Sequence, residues 1–375
     1  MIDIIRGIIM KFMYESARLP NNQKLLADID SASVRLFNKL KGFDVKNLKI
    51  SDYNKNYFGN KLVFLSHSLQ LYSYILAWSL NKFRIPFKQF VFLDYGAGSG
   101  MLCLLAKELG IGTVIYNDIY DISVYDAKMI AKSIGNEADY YVQGDVDDTL
   151  KFLRKNNLNC QAVASYDVIE HIYNIESFFA KLGLFSVGPL AVVMASGANT
   201  LNPRARRRLT KAHFKAEHQD RVKKYGYKKR DCFKAYLGVR KKMIEQYLNR
   251  RQKKLSRSKI GHLARNTRGM IESDIIKSVN QYLVSGELSK PNHPTNTCDP
   301  YTGNWAERLL DPHYLAGLLS DNGFKVKILS GYYGRLRNRN IAERLLARLL
   351  NMAIYLFPKQ GISIAPFYTI YGRRN

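Results

Sequence analysis

The chain has 375 residues, of which 46% are hydrophobic, so it can bury a sizeable core and is not a disordered or fibrous protein. Its net charge is +27, and most of the excess lies in residues 201–270, where 24 basic residues stand against 4 acidic ones. Because the charge is concentrated in one segment, it predicts an anionic partner, which would be either nucleic acid or a membrane surface. The alternative is a helical insertion whose charges are only solvated. Four widely separated cysteines predict neither a disulfide framework nor a zinc site.

Residues 1–88 predict an N-terminal helical segment. Asn21 or Asn22 is placed to cap a first helix that Lys41-Gly42 ends. The apolar stretch 61–83 predicts a buried helix, because its serines and His67 suit a membrane span poorly. Between these helices, SDYNKNYFGNK predicts an aromatic and polar connector. The N-terminal residues themselves suit a signal peptide poorly, so we expect a cytoplasmic protein.

A strand, a tight turn and a helix follow in the row VFLDYGAGSGMLCLLAKELG. The apolar run ends at Asp94, glycines alternate at Gly96, Gly98 and Gly100, and a helical pattern starts at Met101. Such a loop lets the backbone approach a nucleotide-like ligand at a helix N-terminus. A dinucleotide fingerprint requires a small third residue where Met101 stands, and this argues against a dinucleotide.

From residue 89 onward, strands and helices alternate as in a doubly wound parallel sheet. The pattern predicts an N-terminal cap over 1–88, a first part of the core over 89–200 and a second part over 311–375. A basic, mostly helical insertion and a substrate-binding segment occupy 201–310. An amphipathic helix over 341–358 is predicted either to pack on the sheet or to lie in a membrane interface.

The alternating glycines after Asp94 resemble the first motif of class I S-adenosylmethionine (AdoMet)-dependent methyltransferases. The resemblance covers about 89–200 and 311–372. It implies a Rossmann-like seven-stranded α/β sheet whose last strand is antiparallel, inserted beside the fifth, and AdoMet as the cofactor. Asp94, Gly96, Ala97, Gly98 and Gly100 would then contact the cofactor. The resemblance also implies that N-terminal aromatics such as Tyr53, Tyr57 and Phe58 cover the site, unless they only pack the connector on the core.

Acidic residues end the next strands. Asp118 is placed to accept hydrogen bonds from two ribose hydroxyls, or alternatively to cap a helix. Asp145 is expected to accept from the adenine amine with Val146 against the ring, while Asp147 and Asp148 are alternative helix-capping acids. Each of these positions lies where an open α/β fold places its ligand.

The row ASYDVIEHIYNIESFF is similar to the D-x-x-E-H segment of the methyltransferase subgroup that includes ubiquinone-pathway O-methyltransferases. Asp167, Glu170 and His171 match it. The resemblance places Asp167 beside the cofactor and Glu170 beside the substrate. His171 is a candidate catalytic base for a hydroxyl nucleophile, since its unperturbed pKa is near neutrality. The alternatives are that Glu170 and His171 orient the loop or bind a metal, although methyl transfer requires none.

The segment HPTNTCDPYTGNWAERLLDP precedes the second part of the core. In the family it resembles, the segment after strand five lines the acceptor pocket. Candidate substrate contacts are therefore His293, Asn296, Asp299, Tyr301 and Trp305, although proline and glycine punctuation alone also predicts a surface loop.

The sequence thus predicts an AdoMet-dependent methyltransferase acting on a hydroxyl of a small-molecule, glycan or lipid-linked acceptor, in the cytoplasm or peripherally at a membrane. One alternative is an RNA or DNA methyltransferase that grips phosphates with residues 201–270. Against it, Ser165-Tyr166-Asp167 stands where a base-methylation motif of the N-P-P-Y type would be. A non-catalytic AdoMet-binding module is the third hypothesis.

Overall fold

The computed structural model describes residues 12–13, 18–221, 228, 232–287, 294–334 and 340–375. Within them, the seven strands are β1 Val91–Tyr95, β2 Thr113–Asp118, β3 Tyr140–Gln143, β4 Ala162–Tyr166, β5 Leu190–Ser196, β6 Lys325–Ser330 and β7 Tyr368–Arg374. The helices are α1 Gln23–Leu40, α2 Asp52–Val63, α3 Leu65–Leu80, α4 Met101–Leu109, α5 Asp121–Ile134, α6 Val146–Lys155, α7 Ile175–Leu182, α8 Pro203–His218, α9 Tyr236–Arg250, α10 Arg257–Asn266, α11 Glu272–Ser285, α12 Pro312–Asp321, α13 Ile341–Leu356 and α14 Pro358–Gly361.

All seven strands form one sheet in the order β3-β2-β1-β4-β5-β7-β6. Strands β1 to β5 are parallel, and β7 runs antiparallel to both β5 and β6. In register, Leu93 of β1 lies between Ile115 of β2 and Val163 of β4. The predicted doubly wound sheet with an antiparallel last strand beside the fifth is confirmed. Because the strand order reverses between β1 and β4, the crevice at their carboxyl ends is where this architecture binds ligands.

The core lies on both faces of the sheet. Every residue of β5 is buried, and α3, of which 14 of 16 residues are buried, packs against β4 and β5. The predicted buried helix is therefore present, although it starts at Leu65. No helix of the described residues is long and apolar enough to cross a membrane.

The predicted connector is instead helix α2, and it is fastened by a buried acid of α5. Asp126 Oδ2 accepts hydrogen bonds from the backbone N–H of Ser51 at 3.2 Å, from the Ser51 hydroxyl, and from Asn54 Nδ2 at 2.8 Å. Ser51 also caps α2 by accepting from the Asn54 N–H. These bonds hold the first turn of α2 against α5, and this orients the residues further along the helix.

The chain divides into two compact units. Unit 1 comprises residues 1–168, 176–197 and 311–375, and unit 2 comprises residues 169–175 and 198–310. Unit 1 contains the sheet. Unit 2 contains α8 to α11, and apolar side chains of α9, α10 and α11 form a core of their own around Ile244, Leu263 and Val279. A buried ion pair between Arg240 and Glu217 lies inside unit 2, and Arg240 Nε also donates to the Ala264 carbonyl at 2.9 Å. Unit 2 therefore has the internal packing of a separate helical domain.

Candidate functional site

The loop between β1 and α4 has the backbone conformation that its glycines predict. Gly96, Gly98 and Gly100 have φ values of +69°, +56° and +77°, in the left-handed region that favours glycine. Gly100 is the N-cap of α4. Between the first two glycines, the Ala97 N–H donates to the Asn117 carbonyl at 2.8 Å and so joins the loop to the end of β2. The loop therefore presents a helix N-terminus at the carboxyl edge of the sheet.

Gly96 is required by the protein's own packing. A Cβ atom built at Gly96 would lie 2.6 and 2.7 Å from the two γ-methyl groups of Val168, closer than real Cβ contacts allow. Val168 follows β4, so this contact packs the loop after β1 against the loop after β4. The first glycine of the motif thus brings the two sides of the crevice together.

Asp118 at the end of β2 is hydrogen-bonded to the glycine loop. Its Oδ2 accepts from the Gly98 N–H at 3.0 Å, and its Oδ1 accepts from the Tyr120 N–H at 2.9 Å. Tyr116 donates its hydroxyl to the Gly98 carbonyl at 2.6 Å, so both backbone groups of Gly98 are held from β2. The N-cap of α5 is Tyr120, so Asp118 stands outside the capping position of that helix.

Asp94 is buried beneath the loop. The pKa of the Asp94 carboxyl is raised to about 7, chiefly by burial and to a lesser extent by the neighbouring Asp118. The Cys103 thiol, which donates to Oδ2 at 3.4 Å, opposes this rise. Tyr95 is also buried, and its ring packs at 5.0 Å between centroids on Phe178 of α7. These two residues support the loop from inside unit 1.

Asp145 caps α6. Its Oδ1 accepts from the N–H groups of Asp147 and Asp148 at 2.8 and 3.2 Å, and Asp148 completes a capping box. The carboxyl group that caps this helix is thus that of Asp145, while Asp147 and Asp148 occupy the first turn. Both capping bonds end on Oδ1, and Val146 beside it is buried. The predicted contact with adenine stays a prediction.

The turn after β4 is sharp. Asp167 has φ +53°, a conformation that non-glycine residues seldom adopt and that is often found at functional sites. Its Oδ1 accepts from the Gly197 N–H at 3.0 Å, and its own N–H donates to the Ala195 carbonyl, so the end of β5 holds the turn in place.

An aromatic cluster stands at the same edge, and the sequence predicted Tyr57 of it as a cover of the site but not Lys61 or Tyr72. Helix α2 places Tyr57 over the glycine loop, where a Cβ built at Gly98 would lie 3.5 Å from Tyr57 Cε1. One turn further along α2, the Lys61 ammonium lies 5.5, 5.5 and 6.0 Å from the ring centroids of Tyr57, Tyr72 and Tyr166. Lys61 Nζ also donates to the Tyr72 hydroxyl at 3.2 Å.

The charge of Lys61 is stabilised by these surroundings. Burial by itself lowers the pKa of an ammonium, but Tyr57, Tyr72 and Asp167 together shift the pKa of Lys61 upward. Burial raises the pKa of Tyr72 to about 12, although Lys61 opposes that shift. The cluster therefore holds a cation among ring faces and a hydroxyl donor beside it. The i, i+4 spacing of Tyr57 and Lys61 is the sequence signal that these two side chains lie together.

His171 lies in unit 2, where its tautomer is set by a backbone group. His171 Nδ1 lies 2.9 Å from the Trp305 carbonyl oxygen, which only accepts hydrogen bonds, so Nδ1 carries the proton. In the neutral ring, Nε2 is then the basic nitrogen. Glu170 is buried, and its carbonyl accepts from the Arg308 N–H at 3.0 Å. The backbone of residues 305–308 therefore orients this pair.

Most of the predicted substrate-binding residues stabilise the segment in which they lie. Asp299 is buried and accepts backbone N–H groups on both carboxylate oxygens, from Cys232 at 2.7 Å and from Tyr301 at 2.9 Å. Asn296 Oδ1 accepts from the Leu309 N–H, and Trp305 stacks on Tyr173 with 6.0 Å between ring centroids. Tyr301 is 58% exposed. His293 lies outside the described residues, and substrate binding by this set stays a prediction.

No protein-family profile and no curated protein matches the chain. Among solved structures, it is similar to a SAM dependent methyltransferase from Archaeoglobus fulgidus, with 16% identity, a TM-score of 0.38, and 85% of this chain and 99% of that one covered. It is also similar to magnesium protoporphyrin IX methyltransferase from Synechocystis PCC 6803, with 11% identity, a TM-score of 0.37, and 84% and 87% covered. At TM-scores this low, neither likeness assigns an activity, and the strand order itself establishes the fold.

Proposed function

We propose that this chain is an AdoMet-dependent methyltransferase. The observation that carries the proposal is the hydrogen bond from the Gly98 N–H to Asp118 Oδ2, which couples the glycine loop to the acid at the end of β2. A loop that takes the methionine part of AdoMet and an acid that takes its ribose would thus form one hydrogen-bonded unit. It lies at the carboxyl edge of the sheet, where this architecture binds its ligands.

The residues present suit that cofactor. A carboxylate oxygen has two acceptor positions, and the structure shows one bond to each oxygen of Asp118, which leaves capacity for two ribose hydroxyls. The capping bonds of Asp145 end on Oδ1, so Oδ2 would accept from the adenine amine with Val146 against the ring. Gly96, Ala97, Gly98 and Gly100 would follow the methionine chain, with Asp94 beneath them. Asp167 would stand beside the donor end.

The acceptor we propose is a hydroxyl of a small molecule, a glycan or a lipid-linked intermediate. The match of Asp167, Glu170 and His171 to the segment of ubiquinone-pathway O-methyltransferases supports this choice. His171 would take the hydroxyl proton on Nε2, the nitrogen that the Trp305 carbonyl leaves basic. When bound, AdoMet supplies an electrophilic methyl group, so the chain's own work is alignment, exclusion of water and removal of that proton.

Isothermal titration calorimetry with AdoMet and S-adenosylhomocysteine tests the cofactor assignment. We expect the wild-type chain to bind both and Asp118→Asn to lose at least tenfold in affinity for both. Asp121→Asn is the matched control, because Asp121 is exposed in the first turn of α5 and should leave affinity unchanged. No binding by the wild-type chain, or an equal loss in the two variants, would refute the proposal.

One observation favours RNA as an alternative acceptor. Helix α8 exposes five basic side chains within an arc of about 100°, namely Arg204, Arg207, Arg208, Lys211 and Lys215. Such a surface suits a phosphate backbone. RNA binding that weakens steeply with salt and is lost in Arg207→Gln/Lys211→Gln, together with methyl transfer to RNA, would favour this alternative. AdoMet binding without transfer to any hydroxyl or RNA acceptor would favour a binding module.

A further inference from the structure

Helix α13 carries a large exposed apolar surface. Its residues, with the residue that follows it, expose eight large apolar side chains by half or more: Ile341 76%, Leu345 54%, Leu346 50%, Leu349 59%, Met352 55%, Tyr355 56%, Leu356 60% and Phe357 60%. Scattered single residues of this kind are ordinary on protein surfaces, but a contiguous set on one helix marks an interaction site.

The helix is attached to unit 1 by a narrow stripe on its opposite side. Only Ala347, Asn351 and Ile354 are buried. Asn351 fastens the helix, because its Oδ1 accepts from the Tyr333 N–H at 2.8 Å and its Nδ2 donates to the Tyr333 carbonyl at 2.9 Å. The helix is thus held by a specific clamp that leaves its apolar side outward.

The helical spacing gathers most of the exposed side chains into one face. At 100° per residue, Ile341, Leu345, Leu349, Met352, Tyr355 and Leu356 fall within an arc of about 120°. The buried stripe lies on the far side of the helix. We call this arc the α13 face. Its width is that of the apolar face by which an amphipathic helix packs against a partner. In the described part of the chain it is exposed to solvent.

Charge indicates what covers it. Arg344 is exposed just outside one edge of the α13 face, Arg348 is exposed just inside that edge, and Lys359 follows the helix in α14. Glu343 is the one acid of the helix. The long stems of arginine pack along apolar surface while the charged ends reach outward, as they do at the level of lipid headgroups. An apolar face bordered by cations is complementary to anionic lipid.

We propose that helix α13 docks the protein on an anionic membrane surface, lying in the plane of the interface with the α13 face toward the acyl chains. The helix would bind without crossing the bilayer. This proposal rests on α13 alone and is independent of the methyltransferase proposal. Asp118→Asn should therefore bind vesicles as the wild-type chain does, so that the two proposals fail separately.

Flotation with vesicles of phosphatidylcholine and phosphatidylglycerol, compared with phosphatidylcholine alone, tests the proposal on the full chain. We expect binding to the anionic vesicles and at least a tenfold weaker association in Leu345→Glu/Leu349→Glu. Val187→Glu is the control, at a side chain in unit 1 that is 94% exposed. This variant should bind the anionic vesicles as the wild-type chain does. Arg344→Gln/Arg348→Gln should reduce the preference for phosphatidylglycerol. Circular dichroism confirms that each variant is folded.

Several outcomes would overturn the proposal. These are no binding by the wild-type chain, unchanged binding in Leu345→Glu/Leu349→Glu, or an equal loss in Val187→Glu. A wild-type dimer that Leu345→Glu/Leu349→Glu converts to a monomer, without vesicle binding, would assign the face to a second copy of the chain. Vesicle binding that appears only after removal of residues 1–11 would assign the face to that segment.

Discussion

Gly96→Ala should destabilise unit 1 through a contact with one identified residue. The substitution places a side chain at φ +69°, which costs about 1–2 kcal/mol for a left-handed residue other than glycine. The new methyl group would also lie 2.6–2.7 Å from the γ-methyl groups of Val168. Overpacking of this kind costs roughly 1–3 kcal/mol. We therefore expect Gly96→Ala to lose about 3 kcal/mol of unfolding free energy in total.

Removing the γ-methyl groups of Val168 should recover the part of the lost unfolding free energy that overpacking causes. Val168→Ala alone should cost about 1 kcal/mol, because Val168 is only half-buried and loses two methyl groups. In Gly96→Ala/Val168→Ala the clash is absent, so the double variant should be about 1–3 kcal/mol more stable than the sum of the single effects predicts. Urea unfolding followed by circular dichroism measures the unfolding free energy of all three variants, provided that its dependence on urea concentration is the same in each.

Gly98→Ala is the matched control for this cycle. Its φ of +56° imposes a similar backbone cost, but the added methyl group would meet Tyr57 at 3.5 Å, an ordinary van der Waals distance. Gly98→Ala should therefore cost only about 1–2 kcal/mol and show no coupling to Val168→Ala. Effects of Gly96→Ala and Val168→Ala that add to within about 0.5 kcal/mol would refute the packing argument.

Three further predictions concern titratable groups. Burial raises the pKa of Asp94 to about 7, so the folded chain keeps a proton that the unfolded chain releases above pH 4. Stability should therefore fall as pH rises from about 4 to 7, and Asp94→Asn should flatten that decline in urea unfolding. Burial lowers the pKa of His213 to about 4, so the stability of unit 2 should fall as pH drops from about 6.5 to 4, less so in His213→Gln. Lys61→Met removes a cation beside Tyr57, which covers Gly98. Because AdoMet carries a positive sulfonium and S-adenosylhomocysteine does not, calorimetry should show affinity for AdoMet rising by about 1 kcal/mol relative to S-adenosylhomocysteine. An unchanged ratio of the two affinities would contradict this.

The sheet could be predicted from the sequence because its signals are local. Each of the first five strands lies in a largely apolar run that ends at a glycine or an acid and alternates with a helical pattern. Strand β7 is harder to place, since its apolar run begins at Ile364, whereas pairing with β5 and β6 begins at Tyr368 and extends to Arg373 and Arg374. Which residues of an apolar run join an antiparallel pair depends on the partner strands.

Helix α2 could not be predicted in the same way. Its residues carry no apolar stripe at helical spacing, and Asn54, Asn56 and Gly59 favour turns when they are considered locally. The helix is stabilised by Asp126, which lies 72 residues after Asn54 in the chain. A tertiary contact of this range outweighs the local propensity, and it also places Tyr57 and Lys61 at the site. Lys61, which the sequence did not predict at the site, is thus positioned by this one buried acid.

The three alternating glycines form one sequence motif, but each position favours glycine for a different physical reason. Position 96 requires glycine because Val168 occupies the space beside it, whereas Gly100 adopts a left-handed φ at the start of α4. Gly98 has only Tyr57 at an ordinary distance, and its N–H and carbonyl are both bound from β2. Ligand contact is therefore expected chiefly at Gly98, on the side where Tyr57 of the N-terminal cap lies over it. It follows that the cap helix α2, although remote in sequence, belongs to the same site as the loop.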